Sequence, residues 1–326
     1  MFKTIGKKVE RVDGYEKVTG KAIYGDDLIF PGMLHAVCRY ADISCGKIIR
    51  IDVNPAREIR EVAAVIVHDD IPGSKFLGPI RADQSPLVKN RVNFQGDVIA
   101  VVAADSKEKA LKAAEMIKVE YEPEAGIFDP LEAVKPEAKL VHPQYKSNVV
   151  VHYPLRKGNI NKGFIESDKV ITRTYRTGFA EHAYLEPETV TAVPDPVSRG
   201  VKIFGSIQNP FTSRRIIAQF LGFDLNRVNV LSSTLGGSFG GKDDIVNMMA
   251  CRCALLALKT NKPVKLTNSR EASLRESYKR HPYVMTYKAG FTNDGKLRAM
   301  EIDIIADSGA YSSQSFFVTW RSVVQA

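Results

Sequence analysis

The segment STLGGSFGGKDDI, residues 233–245, constrains the fold most strongly, because it places four glycines within six positions between a β-branched run and an apolar stretch. A strand, a glycine loop and a helix in that order are typical of an anion cradle, since glycine lets backbone N–H groups approach a ligand at a helix N-terminus. The loop meets most of the Walker A pattern, but Asp243 and Asp244 stand where a P-loop needs Ser or Thr. The sequence therefore disfavours a P-loop NTPase, and without GxGxxG a Rossmann site has no support.

Two interpretations of this loop remain on the residues alone. It could be a tight turn packed against its own sheet. Phe239, a large aromatic residue between two glycine pairs, instead favours a loop that faces a ligand, and the following Lys242 could pair with phosphate or with Asp243 or Asp244.

Composition limits the class of protein. At 326 residues with 44% apolar and 25% charged content, the chain is long enough for two domains with a buried core. No apolar run reaches the roughly 18–20 residues of a membrane span, and the N-terminus lacks the apolar stretch of a secretory signal. We therefore expect a cytoplasmic protein without a membrane partner.

Neither the cysteines nor the charge indicates a metal-cluster or nucleic-acid protein. Cys38, Cys45, Cys251 and Cys253 form no CxxC pair and have no histidine at metal spacing, so they are interpreted as plain thiols. The net charge of +9 comes from scattered Lys and Arg, which disfavours nucleic-acid binding. An anionic cofactor or an acidic partner subunit explains the excess of positive charge equally well.

The chain divides into two parts with a mixed α and β pattern, for which we predict an α+β fold. Residues 1–125 combine strand-like runs with a helix that Ser106 can cap. Residues 126–150, which are rich in proline, are predicted to be a linker. Residues 151–326 alternate strands with a helix closed by Gly222, a long apolar helix after the glycine loop, and a hairpin that turns at 293–295.

Several segments in order resemble the molybdenum-binding subunit of the xanthine dehydrogenase and aldehyde oxidase family. LGGSFGGKDD, preceded by SIQNPFTSRR, is similar to that family's glycine loop and its upstream Gln-Asn pair. IGKKVERVDGYEKVTGKAIYGDD, PGMLHA and FQGDVIAVVAAD resemble its α/β hammerhead domain, and EHAYLEPETVTAV, NKPVKLTNSREASLRESYKRHP and DSGAY resemble the start of its molybdopterin-binding domain. The resemblance implies a hammerhead domain followed by the first part of the cofactor domain.

The resemblance assigns cofactor-side roles to the glycine loop and to one glutamine. Gln208 matches the glutamine that hydrogen-bonds an oxygen ligand of molybdenum, and Phe239 matches the phenylalanine whose backbone lies against the metal centre. Neither is implied to be a direct metal ligand, and on the residues alone Gln208 could simply satisfy a strand end. The cofactor-binding residues implied with Phe239 are the glycines of the loop, Gly236, Gly237, Gly240 and Gly241.

Two further positions are implied to bind substrate. Asp243 matches a glutamate that contacts purines in the xanthine-oxidising members, but its side chain is shorter by one C–C bond. Arg321 in VTWRSVVQA matches a substrate arginine and could otherwise be a solvated or ion-paired surface residue. The third loop glycine of the family is replaced by Ser238.

The stretch EHAYLEPET holds other candidates for chemistry. Glu181, Glu186 and Glu188 could supply paired carboxylates for acid–base work, and His182 could be a ligand. The resemblance instead assigns this stretch to support of the fold and the cofactor, and we predict no catalytic role for it.

The chemistry implied is hydroxylation of a carbon with oxygen derived from water, on a purine or another N-heterocycle, with aldehydes as the alternative substrate. The implied cofactor is molybdenum–molybdopterin, or its cytosine dinucleotide form. Electrons would pass to [2Fe–2S] and FAD centres on partner chains.

The family's general-base glutamate lies farther toward its C-terminus than the residues of this chain. The sequence therefore predicts a split subunit, completed by the remainder of the molybdenum subunit, or a truncated product. Either would bind the cofactor weakly or not at all when alone. A non-catalytic remnant that serves as a scaffold is the alternative from another class.

Overall fold

A computed structural model describes residues 2–325 of the chain. Its strands are β1 Leu34–Tyr40, β2 Gly46–Asp52, β3 Val62–Val67, β4 Arg91–Val92, β5 Val98–Ala104, β6 Lys118–Pro123, β7 Lys169–Thr177, β8 Thr189–Asp195, β9 Gly200–Gly205, β10 Val228–Ser232, β11 Val264–Thr267, β12 Tyr283–Phe291 and β13 Leu297–Ala306. Its α-helices are α1 Gly14–Val18, α2 Asn54–Arg57, α3 Lys107–Glu115, α4 Pro130–Ala133, α5 Ile160–Ile165, α6 Pro210–Leu221, α7 Ile245–Thr260, α8 Arg270–Glu276 and α9 Ser315–Val324.

The main sheet has seven strands in the order β10-β9-β8-β11-β1-β5-β3. At its centre β1 pairs with β11 in parallel, with Leu34 opposite Val264, and with β5 in the antiparallel direction. Strands from both sides of the predicted linker therefore share one sheet. The division of the chain at 126–150 stays a prediction about sequence organisation, and the described residues of that stretch lie on the surface, with only the short α4 as regular structure.

The core lies on both faces of this sheet. Every residue of β5 is buried, as expected for a strand covered on two sides. Alternate β5 residues face α3 on one side and the main core with α7 on the other. The long apolar helix after the glycine loop is confirmed as α7, whose residues from Ile245 to Ala257 are all buried. The loop is thus held between a sheet strand, β10, and a core helix.

The predicted helix ends are also confirmed. Ser106 caps α3, and its hydroxyl oxygen accepts a 3.3 Å hydrogen bond from the Lys109 N–H. Gly222 ends α6 in the left-handed region, with φ of 65°. The four cysteines are free thiols.

The fold also has two three-stranded sheets, with the orders β13-β12-β7 and β4-β2-β6. The predicted hairpin is confirmed as β12 and β13, and Gly295 supplies the positive φ of its turn. Within residues 2–325, the helices are too short or too polar to span a lipid bilayer.

Candidate active site

A cleft of about 1930 Å³ collects most of the predicted site residues. Its lining includes Gln208, Phe239, Gly240, Asp243 and Arg321, together with parts of the 126–150 stretch and of the segment around β13. The other three predicted glycines are outside the lining and pack against the segment around Tyr184 and Glu186. The structure therefore separates the loop into a cleft-facing part and a supporting part.

The loop has an unusual backbone around Phe239. Gly237, Phe239 and Gly240 all have positive φ, at 100°, 52° and 90°. A phenylalanine rarely adopts this region, because its Cβ crowds the backbone there. Phe239 is nevertheless 78% exposed. A strained backbone that exposes a large aromatic residue is typical of a functional loop rather than of a packed turn.

The supporting part of the loop needs glycine for close approach. A Cβ on Gly236 would lie 2.6 Å from Cβ of Glu186, and one on Gly241 would lie 2.7 Å from the Tyr184 ring. The segment that contains Glu186 and Tyr184 is thus the floor on which the loop rests.

Lys242 does not pair with Asp243 or Asp244, which corrects two of the predicted alternatives. Its side chain is fully buried, and its Nζ lies 2.7 Å from Oε2 of Glu186. Burial lowers the pKa of Lys242, while the Glu186 carboxylate opposes that shift. The two aspartates instead contact residues 313–314, just before helix α9.

Gln208 lies beside the loop. Its N–H donates a 2.9 Å hydrogen bond to the Lys242 carbonyl, and its Oε1 accepts a hydrogen bond from the Ser238 hydroxyl. The serine that replaces a family glycine thus orients the very side chain predicted to face molybdenum. No local pattern predicts this role for Ser238, since the two residues are 30 positions apart.

Asp243 is half-buried at the cleft wall. Its Oδ1 has no hydrogen-bond partner among residues 2–325, and its Oδ2 lies 3.4 Å from Nε2 of Gln314. Burial raises the pKa of Asp243. Gln314 also donates to Asp244, at 3.3 Å, and burial raises the pKa of Asp244 to about 6. Gln314 and Asp244 are site residues that the sequence did not reveal.

Arg321 is exposed on α9 and makes no ion pair within the described part of the chain. The helix is anchored near both ends, because Ser315 bonds His281 at 2.8 Å and Ser322 bonds Tyr283 at 2.8 Å. Gln314 occupies the N-cap position of the same helix, without a side-chain cap hydrogen bond. The two predicted substrate residues, Asp243 and Arg321, are therefore connected through α9.

Two domain families match the sequence. The molybdopterin cofactor-binding domain family matches residues 141–326, and the aldehyde oxidase and xanthine dehydrogenase a/b hammerhead domain family matches residues 19–125. The chain belongs to the xanthine dehydrogenase and aldehyde oxidase family of molybdenum subunits. The resemblance drawn from the sequence is confirmed, and so is the α+β fold of a hammerhead domain followed by part of a molybdopterin-binding domain.

The names of the relatives within the family specify different substrates. The chain is 36% identical over 323 residues to the nicotinate dehydrogenase large molybdopterin subunit of Eubacterium barkeri, covering 99% of this chain and 75% of that protein. It is 36% identical to a probable xanthine dehydrogenase subunit of Bacillus subtilis, covering 93% of this chain and 40% of that protein. The aldehyde oxidoreductase of Desulfovibrio gigas superposes with a TM-score of 0.87 at 26% identity, over 95% of this chain and 35% of that one. This member of the molybdenum hydroxylase family thus spans three quarters of the first relative and less than half of the other two.

In this family member, carboxylates of the acidic stretch before β8 make hydrogen bonds and ion pairs within the protein. Glu188 is buried and accepts hydrogen bonds from Tyr184, Asn268 and Ser273. Glu181 pairs with Lys279 at 2.5 Å. His182 leaves a buried Nδ1 without a partner among the described residues. The carboxylates are each bound to a different partner, and this arrangement fits the predicted supporting role better than paired acid–base catalysis.

Proposed function

We propose that this chain forms one wall of the active site of a molybdenum hydroxylase whose substrate is a purine or another N-heterocycle. The main support is the cleft wall, where Asp243 has a carboxylate oxygen without a partner among the described residues and lies with Gln208 and Phe239. A buried polar atom without a partner costs free energy, so a ligand that satisfies it binds selectively.

The loop residues suit a molybdopterin cofactor. A Cβ on Gly240 would meet no atom within 4 Å, so the backbone there is open to a close-packed ligand. Phe239 and Gly240 would hold the group through their backbone, and the Gln208 amide would hydrogen-bond it. When bound, molybdenum–molybdopterin or its cytosine dinucleotide form supplies the two-electron oxidation of the substrate carbon.

Asp243 would orient the substrate. Its carboxylate at the cleft wall would accept a hydrogen bond from a ring N–H or, when protonated, donate one to a ring nitrogen. Both groups occur among purines and other N-heterocycles. A simple aldehyde has no N–H for the ionised carboxylate and offers its carbonyl only to the protonated form. Arg321 adds a positive charge at the same cleft, which suits ring carbonyl or carboxylate oxygens.

The proposal includes partner chains and a cytoplasmic location. The remainder of the molybdenum subunit would complete the site, and [2Fe–2S] and FAD subunits would accept the electrons. The first experiment is metal, pterin and subunit analysis of the complex isolated from its own host. Molybdenum near one per complex, with iron, flavin and a second molybdenum-subunit chain, is the expected result. A chain isolated without molybdenum or partners would overturn the proposal in favour of a remnant scaffold.

The substrate class is tested on the same complex with Asp243→Asn. We expect kcat/KM for xanthine or nicotinate to fall about 10- to 100-fold, as for loss of a hydrogen bond to a charged group, with aldehyde oxidation little changed. Asp69→Asn, an exposed residue outside the cleft that pairs with Lys89, is the matched control. An equal loss with aldehydes would contradict a heterocycle-specific role, and turnover of aldehydes alone would favour the aldehyde-oxidising alternative.

A further inference from the structure

Glu186 joins three segments that are far apart in sequence. Its Oε2 accepts a 2.7 Å hydrogen bond from the Gly236 N–H, and its Oε1 accepts one of 3.3 Å from the Gly25 N–H. The same Oε2 pairs with Lys242 Nζ at 2.7 Å. One carboxylate therefore binds the first and last residues of the glycine loop and fixes them to the segment before β1.

Lys242 extends this junction to the cleft. Its carbonyl accepts the Gln208 N–H at 2.9 Å, and its own N–H lies 3.3 Å from the Ser238 hydroxyl. Its ammonium group lies 4.6 Å from the centre of the Tyr184 ring. Lys242 thus contacts the floor through its side chain and the cofactor-side glutamine through its backbone.

We propose that the Glu186–Lys242 ion pair is the positioning element of the glycine loop, which holds residues 236–242 so that Phe239 and Gln208 face the cleft. The pair touches neither the cleft nor a ligand directly and acts through the loop backbone. Its consequence for cofactor binding rests on the proposed function, whereas its effect on the loop does not.

A gain in folding stability does not by itself explain a buried Glu186–Lys242 pair. Removing two charges from water is costly, and replacing a buried ion pair with uncharged groups of similar size is often neutral or stabilising. A buried pair can instead select one arrangement of the groups it joins. The three positive-φ residues between Gly236 and Lys242 make an alternative loop conformation accessible once the Lys242 end is released.

The test compares Glu186→Gln, Lys242→Met and the double variant E186Q/K242M in the complex as isolated. Each single change leaves one charged group buried and should lower the melting temperature. The double variant removes both charges, retains an oxygen acceptor for the Gly236 N–H, and should melt close to the wild type. Lys259→Met removes the 2.6 Å pair with Asp70 at the exposed end of α7 and serves as the control.

Hydrogen exchange at Gly241 and Lys242, whose N–H groups bond Ser238, is the deciding measurement, and it is made on the preparation without cofactor. We expect at least tenfold faster exchange in the double variant despite its near-normal melting temperature, and no change in Lys259→Met. Wild-type exchange rates in the double variant would overturn the proposal. Molybdopterin content is measured separately and should fall several-fold. Normal cofactor content together with faster loop exchange would overturn the proposed effect on cofactor binding. A wild-type complex that never contains cofactor would overturn the proposed function, and the exchange result would remain valid.

Discussion

Gly240 and Gly241 are neighbours that lack a side chain for different reasons. Gly241 is closely packed, because a Cβ there would lie 2.7 Å from the Tyr184 ring. Gly240 has φ of 90°, and a Cβ there would meet no atom within 4 Å. We expect Gly241→Ala to lower the free energy of unfolding by about 2 kcal/mol through overpacking. Gly240→Ala should cost only about 1 kcal/mol of backbone strain. Urea denaturation of both variants measures these two costs.

For cofactor binding we expect the opposite ranking, with a larger effect from Gly240→Ala than from Gly241→Ala. Since Gly240 lies at the cleft, Gly240→Ala should lose more bound molybdopterin than its small loss of stability explains. Equal molybdopterin content in Gly240→Ala and wild type would show that this backbone position does not adjoin the cofactor.

At the residue scale, sequence reasoning found the cleft-facing residues and missed their supports. Gln208, Phe239, Asp243 and Arg321 lie in recognisable motifs, and all four line one cleft. The Glu186–Lys242 pair joins positions 56 residues apart. No local spacing reveals such a partner, because it depends on which segments the fold brings together.

Helix α7 carries a charge in the middle of an apolar core. Arg252 is buried and pairs with Glu276 of α8, while its Nε donates a 2.8 Å hydrogen bond to the Pro86 carbonyl. Arg252→Met should lower the free energy of unfolding by about 3–5 kcal/mol, because it leaves the Glu276 carboxylate buried without its cation. Urea denaturation followed by circular dichroism measures the loss.

The double variant R252M/E276L separates the pair from the packing. It should recover much of the stability that Arg252→Met loses, because neither charge then remains buried. A double variant less stable than the single one would show that the pair contributes net stability to the junction between α7 and α8.

At the element scale, the long and strongly patterned elements could be predicted and the short ones could not. Helix α7 follows from an apolar run bounded by the glycine loop and by Asn261, which ends it with φ of 51°. Helix α5 has only six residues, and its one signal is Asn159, whose side chain caps it. A helix of one or two turns shows too little periodicity to stand out, so the sequence did not predict α1, α2, α4, α5 or α8.

Asp97 connects the main sheet to the segment after β13. Its carboxylate accepts hydrogen bonds from the Asn93 N–H at 2.7 Å and the Tyr311 hydroxyl at 2.8 Å. Burial raises the pKa of Asp97 to about 6, against 3.8 for an ordinary aspartate. The folded protein therefore holds this proton more tightly than the unfolded chain does between these values. The stability that Asp97 contributes is greatest below about pH 4 and is lost as the pH rises through about 6.

Asp97→Asn removes this titration from the whole molecule. The stability of wild type relative to Asp97→Asn should fall by about 1–3 kcal/mol from about pH 4 to about pH 7, the linked cost of a two-unit shift. Urea denaturation of both proteins at matched pH values measures it. A difference that stays constant over this range would show that Asp97 is already ionised in the folded protein at low pH.

At the scale of the whole molecule, the sequence indicated two parts but not how they share a sheet. The order of strands depends on the pairing of β1 with β11, and the two are separated by well over a hundred residues. Parallel pairing at the centre of a sheet leaves no turn signal in the sequence, because no hairpin connects the two strands.

The pairing of β1 with β11 also determines when the main sheet can be completed during synthesis. By the time β5 has left the ribosome, β1 has one neighbour and a bare edge, and its second neighbour is still about 160 residues away. At about 5–20 residues per second, the wait is roughly 8–30 s. During this interval the nascent chain presents an unpaired, apolar strand edge of the kind that pairs with other chains. The sheet begun by the N-terminal strands is therefore complete only after β11 has been synthesised. Until then, the growing polypeptide is at its greatest need of a chaperone.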